Sequence, residues 1–163
     1  MTLIRRCTFT LFALFLINAS NANAAQLPPV DFKTLQGDDI TLNNVSGEVR
    51  LVNFWATWCP PCVREMPALG RLETMVEGDA RVIAINVGDP AEAVEAFVLE
   101  NFDGVEPEIW LDEPGSAFTT LRLEALPMTL ILDPKGNVVD KIIGEREWDD
   151  PEIAQYLRDL GQD

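Results

Sequence analysis

Two cysteines separated by two prolines, Cys59 and Cys62, stand between an apolar run and a segment of helical periodicity. The preceding run, VRLVNFW, has the composition of a strand that is buried on both faces. In the following segment, apolar residues recur at helical spacing: Val63, Met66, Leu69, Leu72 and Val76. Proline suits the first turn of a helix, and we expect Pro61 to occupy it. The pattern therefore predicts a strand that leads into a helix, with the cysteine pair at the helix N-terminus.

A cysteine pair at this spacing suits a zinc site, a short structural disulfide or a redox-active dithiol. Zinc requires three or four protein ligands, but the 163-residue chain has three cysteines and no histidine. A structural disulfide across so short a loop removes little entropy from the unfolded chain. A helix N-terminus stabilises a thiolate, which makes Cys59 the attacking sulfur and Cys62 the resolving one. These arguments favour the dithiol, with a Cys59–Cys62 disulfide as its oxidised form.

The formal net charge of −15 and the absence of histidine limit the function classes further. So negative a chain is a poor partner for nucleic acids or anionic membranes. Without histidine it lacks the usual proton shuttle and the commonest metal ligand. We therefore expect neither a metal nor a cofactor, and chemistry carried by cysteine, carboxylates and the backbone.

The first 24 residues have the three parts of a secretory signal. Arg5 and Arg6 form the positive end, residues 8–17 form a short apolar run, and Ala22 and Ala24 are the small residues of a cleavage site. A membrane span needs about 20 apolar residues, so cleavage is favoured over a retained anchor. We expect a periplasmic protein, with a membrane-anchored form that faces the periplasm as the alternative.

One α/β domain accounts for residues 30–163, after a short leader at residues 25–29. Its pattern predicts an N-terminal hairpin, further strands at RVIAINVG and EIWLD, a helix after Asp89, and a second hairpin within LPMTLILDPKGNVVDKIIG. Asp149 or Asp150 is expected to cap a final helix with four inward residues: Ile153, Tyr156, Leu157 and Leu160. Glu65 and Glu73 are predicted on a solvated face of the first helix, and Trp55 in the core.

The stretch VNFWATWCPPC…EMPAL resembles the thioredoxin superfamily, and more closely the exported TlpA/ResA/DsbE-type thiol–disulfide oxidoreductases. Further similarities are Pro67 within the first helix, the segment ALPMTLILDPKGNVV, and INVGDPAEAVEAF, which resembles an insert of this group. The resemblance covers nearly the whole domain. It implies a thioredoxin-like fold: a central mixed β-sheet flanked by helices, with an N-terminal β-hairpin and a central strand–helix insert.

The resemblance also implies roles for residues outside the cysteine pair. Pro127 would be a cis-proline beside the dithiol that helps to present a partner's backbone, and Leu126 would touch that partner. Three residues around the cysteines would also contact the partner: Trp58, Pro60 and Pro61. Asp89, after the NVG triplet, would lie near the cysteines and tune them, although it also suits the cap of a helix that begins at Pro90. Asn53 stands where thioredoxin has a buried aspartate.

The implied function is thiol–disulfide exchange with protein substrates, as a monomer supplied by a membrane electron donor. The resemblance points to reducing work in cytochrome c maturation, with apocytochrome c or its maturation factors as partners. We expect a reduction potential nearer about −270 mV than about −120 mV, because no histidine stabilises the thiolate. A general envelope redox or antioxidant protein of the peroxiredoxin-like class is the alternative. In that class the attacking cysteine lies in a Thr-x-x-Cys motif, whereas Thr57 lies only two residues before Cys59. A copper-handling redoxin would need ligands such as histidine.

Overall fold

A computed structural model describes residues 27–42, 47–102 and 104–162. The predicted signal sequence and the first residues of the predicted leader lie outside this part of the chain. The elements, in chain order, are β1 (Asp31–Thr34), β2 (Asp39–Thr41), β3 (Val49–Trp55), α1 (Pro60–Met75), β4 (Ala80–Val87), α2 (Ala91–Asn101), β5 (Glu108–Asp112), α3 (Ser116–Thr120), β6 (Met128–Leu132), β7 (Val138–Ile143) and α4 (Pro151–Leu160).

The strands form one mixed sheet in the order β2-β1-β5-β4-β3-β6-β7. Strands β3, β4 and β5 run parallel, and the remaining neighbours pair antiparallel. The central position of β3 agrees with its composition, since every residue of this strand is buried. The expected hairpins are β1–β2 and β6–β7. Because β3 and β6 are antiparallel, the end of β3 and the beginning of β6 meet at the same edge of the sheet.

Apolar side chains cover both faces of the sheet. On one face, the inward residues of α1 and α4 pack with Val94 of α2 and with the tryptophans Trp55 and Trp148. On the other face, Phe32 and Trp110 pack with Ala117 of α3. Trp55 is fully buried and lies against Phe97, with the ring centroids 5.0 Å apart, as expected of a core residue.

Helix α1 begins one residue before the predicted start and continues through Pro67. Gly70 lies on its buried side, where a Cβ atom would come within 2.1 Å of the Val105 carbonyl oxygen. This position therefore needs glycine because the backbone of the segment after α2 approaches the helix closely.

Helix α4 differs from the sequence prediction at one residue. Asp150 caps it, since its carboxylate accepts a hydrogen bond from the Glu152 N–H, and Ile153 and Leu157 are buried. Tyr156 was expected to point inward but is 40% exposed, so that prediction was wrong. It lies at the border of the apolar stripe, where its ring is partly covered and its hydroxyl end can remain in water. None of the helices in the described residues combines the length and the apolar character of a membrane span.

Candidate active site at the Cys59–Cys62 pair

Cys59 and Cys62 form a disulfide at the N-terminus of α1. The Sγ atoms are 2.11 Å apart and the Cα atoms 5.3 Å apart. Cys59 is the N-cap residue of the helix, and it is followed by prolines at the first two helical positions, Pro60 and Pro61. Cys59 retains 6% of its exposure, whereas Cys62 is fully buried. Cys59 is therefore the sulfur nearer to solvent and to the positive end of the helix dipole.

The loop that precedes β6 lies at the same edge of the sheet as the cysteine pair. Phe54 of β3 pairs with Met128 of β6, which places Pro127 opposite the end of the strand that leads to Cys59. The Leu126–Pro127 peptide bond is cis, and the Pro127 carbonyl accepts a hydrogen bond from the Gly144 N–H at 2.9 Å. Leu126 is half-buried and packs against the apolar cluster that contains both cysteines.

Exposed apolar surface borders the disulfide. Trp58, directly before Cys59, is 63% exposed, and Pro60 is also exposed. Ile143, at the end of β7, is 50% exposed and is paired with Met128 next to the cis-proline. Sequence reasoning did not single out Ile143, because its proximity to Pro127 depends on the register of the β6–β7 hairpin.

Asp89 is buried and hydrogen-bonded to the loop before the dithiol. Its Oδ2 accepts from the Thr57 N–H at 2.8 Å and from Asn86 Nδ2 at 2.9 Å. The alternative assignment as a helix cap was wrong, because no side chain of the N-cap residue caps α2 and Glu113 accepts from the Ala91 N–H instead. The Asp89 carboxylate thus joins the β4–α2 connection to the segment that carries Cys59.

Glu65, predicted on a solvated face, is instead 2% exposed and lies three residues after Cys62 in α1. Its Oε1 accepts from Asn53 Nδ2 at 2.7 Å, and its Oε2 accepts from Trp148 Nε1 at 2.9 Å and from the Arg146 N–H at 3.1 Å. The prediction was wrong because these partners come from distant parts of the chain. A local signal did exist, since position 65 falls in the inward stripe three residues after Cys62.

Burial raises the pKa of Glu65, because the carboxylate has lost most of its contact with water. Hydrogen bonds from Trp148, Asn53 and the Arg146 backbone oppose this effect and lower the pKa in part. Glu73 was also expected in solvent, but it is half-buried and accepts from the Val82 N–H at 2.6 Å. Burial likewise raises the pKa of Glu73. Of the two residues, only Glu65 lies within one helical turn of Cys62.

The basic residue nearest to the dithiol on α1 is already paired. Arg64 Nε and Nη2 contact the two carboxylate oxygens of Glu145 at 3.0 and 2.5 Å. The Arg64 guanidinium is thus paired with a carboxylate of the loop after β7. In the described residues no group of three His, Cys, Asp or Glu side chains could hold a metal ion.

A disulfide at a helix N-terminus, a neighbouring cis-proline and a mixed sheet between helices define a thioredoxin-like thiol–disulfide oxidoreductase. The chain belongs to the AhpC/TSA family, whose model matches residues 23–141.

Several known proteins with similar sequences are named thiol-disulfide oxidoreductases. The chain is 30% identical to the thiol-disulfide oxidoreductase ResA of Geobacillus thermodenitrificans, over 98% of this chain and 91% of that protein. It is 35% identical to the thioredoxin-like protein YneN of Bacillus subtilis, over 73% of this chain and 70% of that protein. A secreted thiol-disulfide isomerase from Corynebacterium glutamicum has the same fold, with a TM-score of 0.71 at 23% identity over 85% of this chain and 86% of that one.

Proposed function

We propose that this enzyme reduces disulfides in protein substrates outside the cytoplasm. The observation that carries the proposal is the placement of the Cys59–Cys62 disulfide at the N-terminus of α1, with the buried carboxyl of Glu65 one turn further along the same face. This arrangement supplies a nucleophile, a resolving thiol and a group that can take up a proton.

The reduced enzyme passes two electrons to its substrate in two displacements. The Cys59 thiolate attacks one sulfur of the substrate disulfide, whose S–S bond breaks and releases the other sulfur as a thiolate. Cys62 then gives its proton to Glu65 and attacks Cys59 Sγ. The mixed disulfide breaks, the second substrate sulfur leaves as a thiolate, and the Cys59–Cys62 disulfide forms. The departing thiolates take protons from water, and a membrane electron donor returns the enzyme to its dithiol form.

The partner surface in this proposal is the apolar border of the disulfide. Trp58, Pro60 and Pro61 contact the substrate on the helix side, and Leu126 and Pro127 present its backbone from the opposite side. The exposure of Trp58 supports this role, because a large exposed aromatic residue beside a nucleophile is suited to a protein partner.

Asp89 completes the proposed site. Its hydrogen bond to the Thr57 N–H fixes the loop that carries Cys59. Its negative charge disfavours a neighbouring thiolate, and so favours the disulfide and a low reduction potential. Arg64 is paired with Glu145 and would offset this effect less than an unpaired cation would.

We assign the enzyme to the periplasm. Cleavage would remove residues 1–24, and the mature protein would consist of a short leader, residues 25–29, and the domain, residues 30–163. The signal pattern supports this assignment. Within the periplasm we propose that the protein works as a monomer in cytochrome c maturation, where it keeps the haem-attachment cysteines of apocytochrome c reduced. The likeness to proteins named ResA and the reductive character inferred above support this role.

The reduction potential of the Cys59–Cys62 couple tests the direction of exchange. Equilibration with glutathione buffers should give a value nearer about −270 mV than about −120 mV. A value above about −180 mV, in the range of disulfide isomerases, would refute reductive work.

The order of attack is tested with two variants: Cys62→Ala should trap substrates as mixed disulfides and Cys59→Ala should not. If hydrogen peroxide oxidised the dithiol at an enzyme's rate while protein disulfides did not, the peroxiredoxin-like alternative would replace the proposal.

A further inference from the structure

The two oxygens of the Glu65 carboxylate have different surroundings. Oε2 accepts two hydrogen bonds, from Trp148 Nε1 and from the Arg146 N–H. Oε1 faces Asn53 Nδ2 and accepts from this amide. A proton on Oε2 would confront two N–H donors, neither of which can accept it. When Glu65 becomes a carboxylic acid, its proton must therefore lie on Oε1, between Glu65 and Asn53.

Asn53 is oriented for the ionised form of Glu65. Its Nδ2 donates to Glu65 Oε1 at 2.7 Å and to Thr129 Oγ1 at 2.9 Å. Its Oδ1 is buried without a hydrogen-bond partner among the described residues. While Glu65 is ionised, the reverse orientation would bring Asn53 Oδ1 and Glu65 Oε1 together at 2.7 Å with no proton between them. This orientation is therefore excluded for the ionised form. The structure thus leaves a buried acceptor unpaired in order to place the donor against the carboxylate.

Protonation of Oε1 reverses this preference. The acid then donates at the position where the carboxylate accepted, and the hydroxyl of Thr129 can donate as readily as it accepts. A half-turn of the Asn53 carboxamide, a rotation with two broad minima, would direct Oδ1 at both of these donors. The same side chain can therefore match each protonation state of Glu65.

We propose that Asn53 is a positioning residue whose carboxamide donates to Glu65 while Glu65 is ionised and turns over to accept from Glu65 once it carries a proton. The inference rests on the proposed role of Glu65 as the acceptor of the Cys62 proton. It explains how a buried acid takes up and returns a proton without losing its hydrogen bond at either stage.

Charged groups around Glu65 belong to α1 and to the segment after β7. One cavity is lined by Glu65 together with the charged side chains of Arg64, Arg71, Glu145, Arg146, Glu147 and Asp149. Ion pairs join Arg64 to Glu145 and Arg71 to Asp149, and the Arg146 guanidinium lies 5.8 Å from the Trp148 ring centroid. From the sheet, Asn53 and Thr129 reach Glu65 and its amide partner, and neither side chain titrates. A change in the Glu65 midpoint on substitution of Asn53 therefore reports the amide itself.

The orientation of the amide can be tested with Glu65→Gln. The oxygen of the glutamine is held by Trp148 and Arg146, so its NH2 group faces Asn53 and imitates the protonated acid. In the wild-type protein above the Glu65 midpoint, NMR should show nuclear Overhauser contacts from the Asn53 amide protons to the Thr129 side chain. These contacts should disappear in Glu65→Gln. Their persistence in the variant would overturn the proposal.

The effect of the Asn53–Glu65 hydrogen bond on the titration of Glu65 is tested with Asn53→Leu, which removes the Nδ2 donor and keeps a similar side-chain volume. The midpoint of Glu65 is followed by 13C NMR of labelled glutamate carboxyl groups in the oxidised protein, with Glu65→Gln for assignment. Loss of a hydrogen bond to the charged form should raise this midpoint by about 1 pH unit. Thr129→Val keeps the Asn53–Glu65 bond and should move the midpoint less.

A second variant protects the test if Asn53→Leu does not fold. Asn53→Asp has the same shape but cannot donate while ionised, so Glu65 and the new carboxyl should titrate as a coupled pair with a midpoint above that of the wild type. An unchanged midpoint in these variants would overturn the proposal. Because the titration uses oxidised protein, its result is independent of whether the enzyme reduces protein substrates, and the two proposals can fail separately.

Discussion

Replacement of Asp89 by alanine and by asparagine separates its hydrogen bonds from its charge. Asp89→Ala removes two hydrogen bonds to a buried carboxylate, those from the Thr57 N–H and Asn86 Nδ2. Bonds to charged groups contribute about 1.5–3 kcal/mol each, so the loss in the free energy of unfolding should be at least about 3 kcal/mol. Asp89→Asn can place its oxygen where Oδ2 accepts both bonds. Neutral bonds are roughly half as strong, and the expected loss is about 1.5 kcal/mol.

Urea unfolding of the oxidised proteins, followed by far-ultraviolet circular dichroism, measures both losses. With a denaturant slope of about 2 kcal/mol per molar, the midpoint should fall by about 1.5 M in Asp89→Ala and by about half as much in Asp89→Asn. The reduction potential should rise in both variants, because each removes the charge that disfavours the Cys59 thiolate. Equal losses of stability in the two variants, or a loss below about 1 kcal/mol in Asp89→Ala, would refute the assignment of these bonds.

Three further predictions concern Glu65, Gly70 and the N-terminus. Burial raises the pKa of Glu65 above its unfolded value, so the ionised form destabilises the fold. The stability that protonation confers is therefore lost as pH rises from the ordinary glutamate range to the folded pKa. Glu65→Gln should therefore gain stability relative to wild type across that interval, and a pH-independent difference in urea unfolding would contradict this. Gly70→Ala should cost about 1–3 kcal/mol in the same assay because its Cβ would meet the Val105 carbonyl; an unchanged midpoint would show that the loop yields freely. N-terminal sequencing of the periplasmic protein should begin at Ala25, whereas a full-length chain in the membrane fraction would indicate an anchor.

The sequence was most informative where local chemistry decides the structure. The strand before Cys59, the helix after it and the hairpin after Pro127 follow from apolar periodicity and turn residues, and the structure confirms all three. The family resemblance added the expectation of a cis bond at Leu126–Pro127, which is present. Periodicity and turn residues alone could not have supplied this expectation, since few bonds before proline are cis.

The sequence was least informative about buried polar groups. Glu65 was assigned to solvent from its residue type, yet its partner Trp148 lies 83 positions along the chain. Asp89 was weighed as a helix cap, but its carboxylate instead binds an N–H 32 positions away. Burial of a carboxylate is costly unless such partners are present. The partners are set by the tertiary fold, so residue type and local spacing could not reveal them.

The two edge strands of the sheet, β2 and β7, determine how readily this protein pairs with strands of other chains. One end is β2, a strand of three residues whose Asp39 pairs with Lys33. The other is β7, which carries exposed Asp140 and Lys141 and is paired to β6 across a register irregularity. Short length, charge and irregular register each make an edge a poor template for another strand. The sheet of this protein should therefore have little tendency to pair edge to edge with exposed strands of other chains.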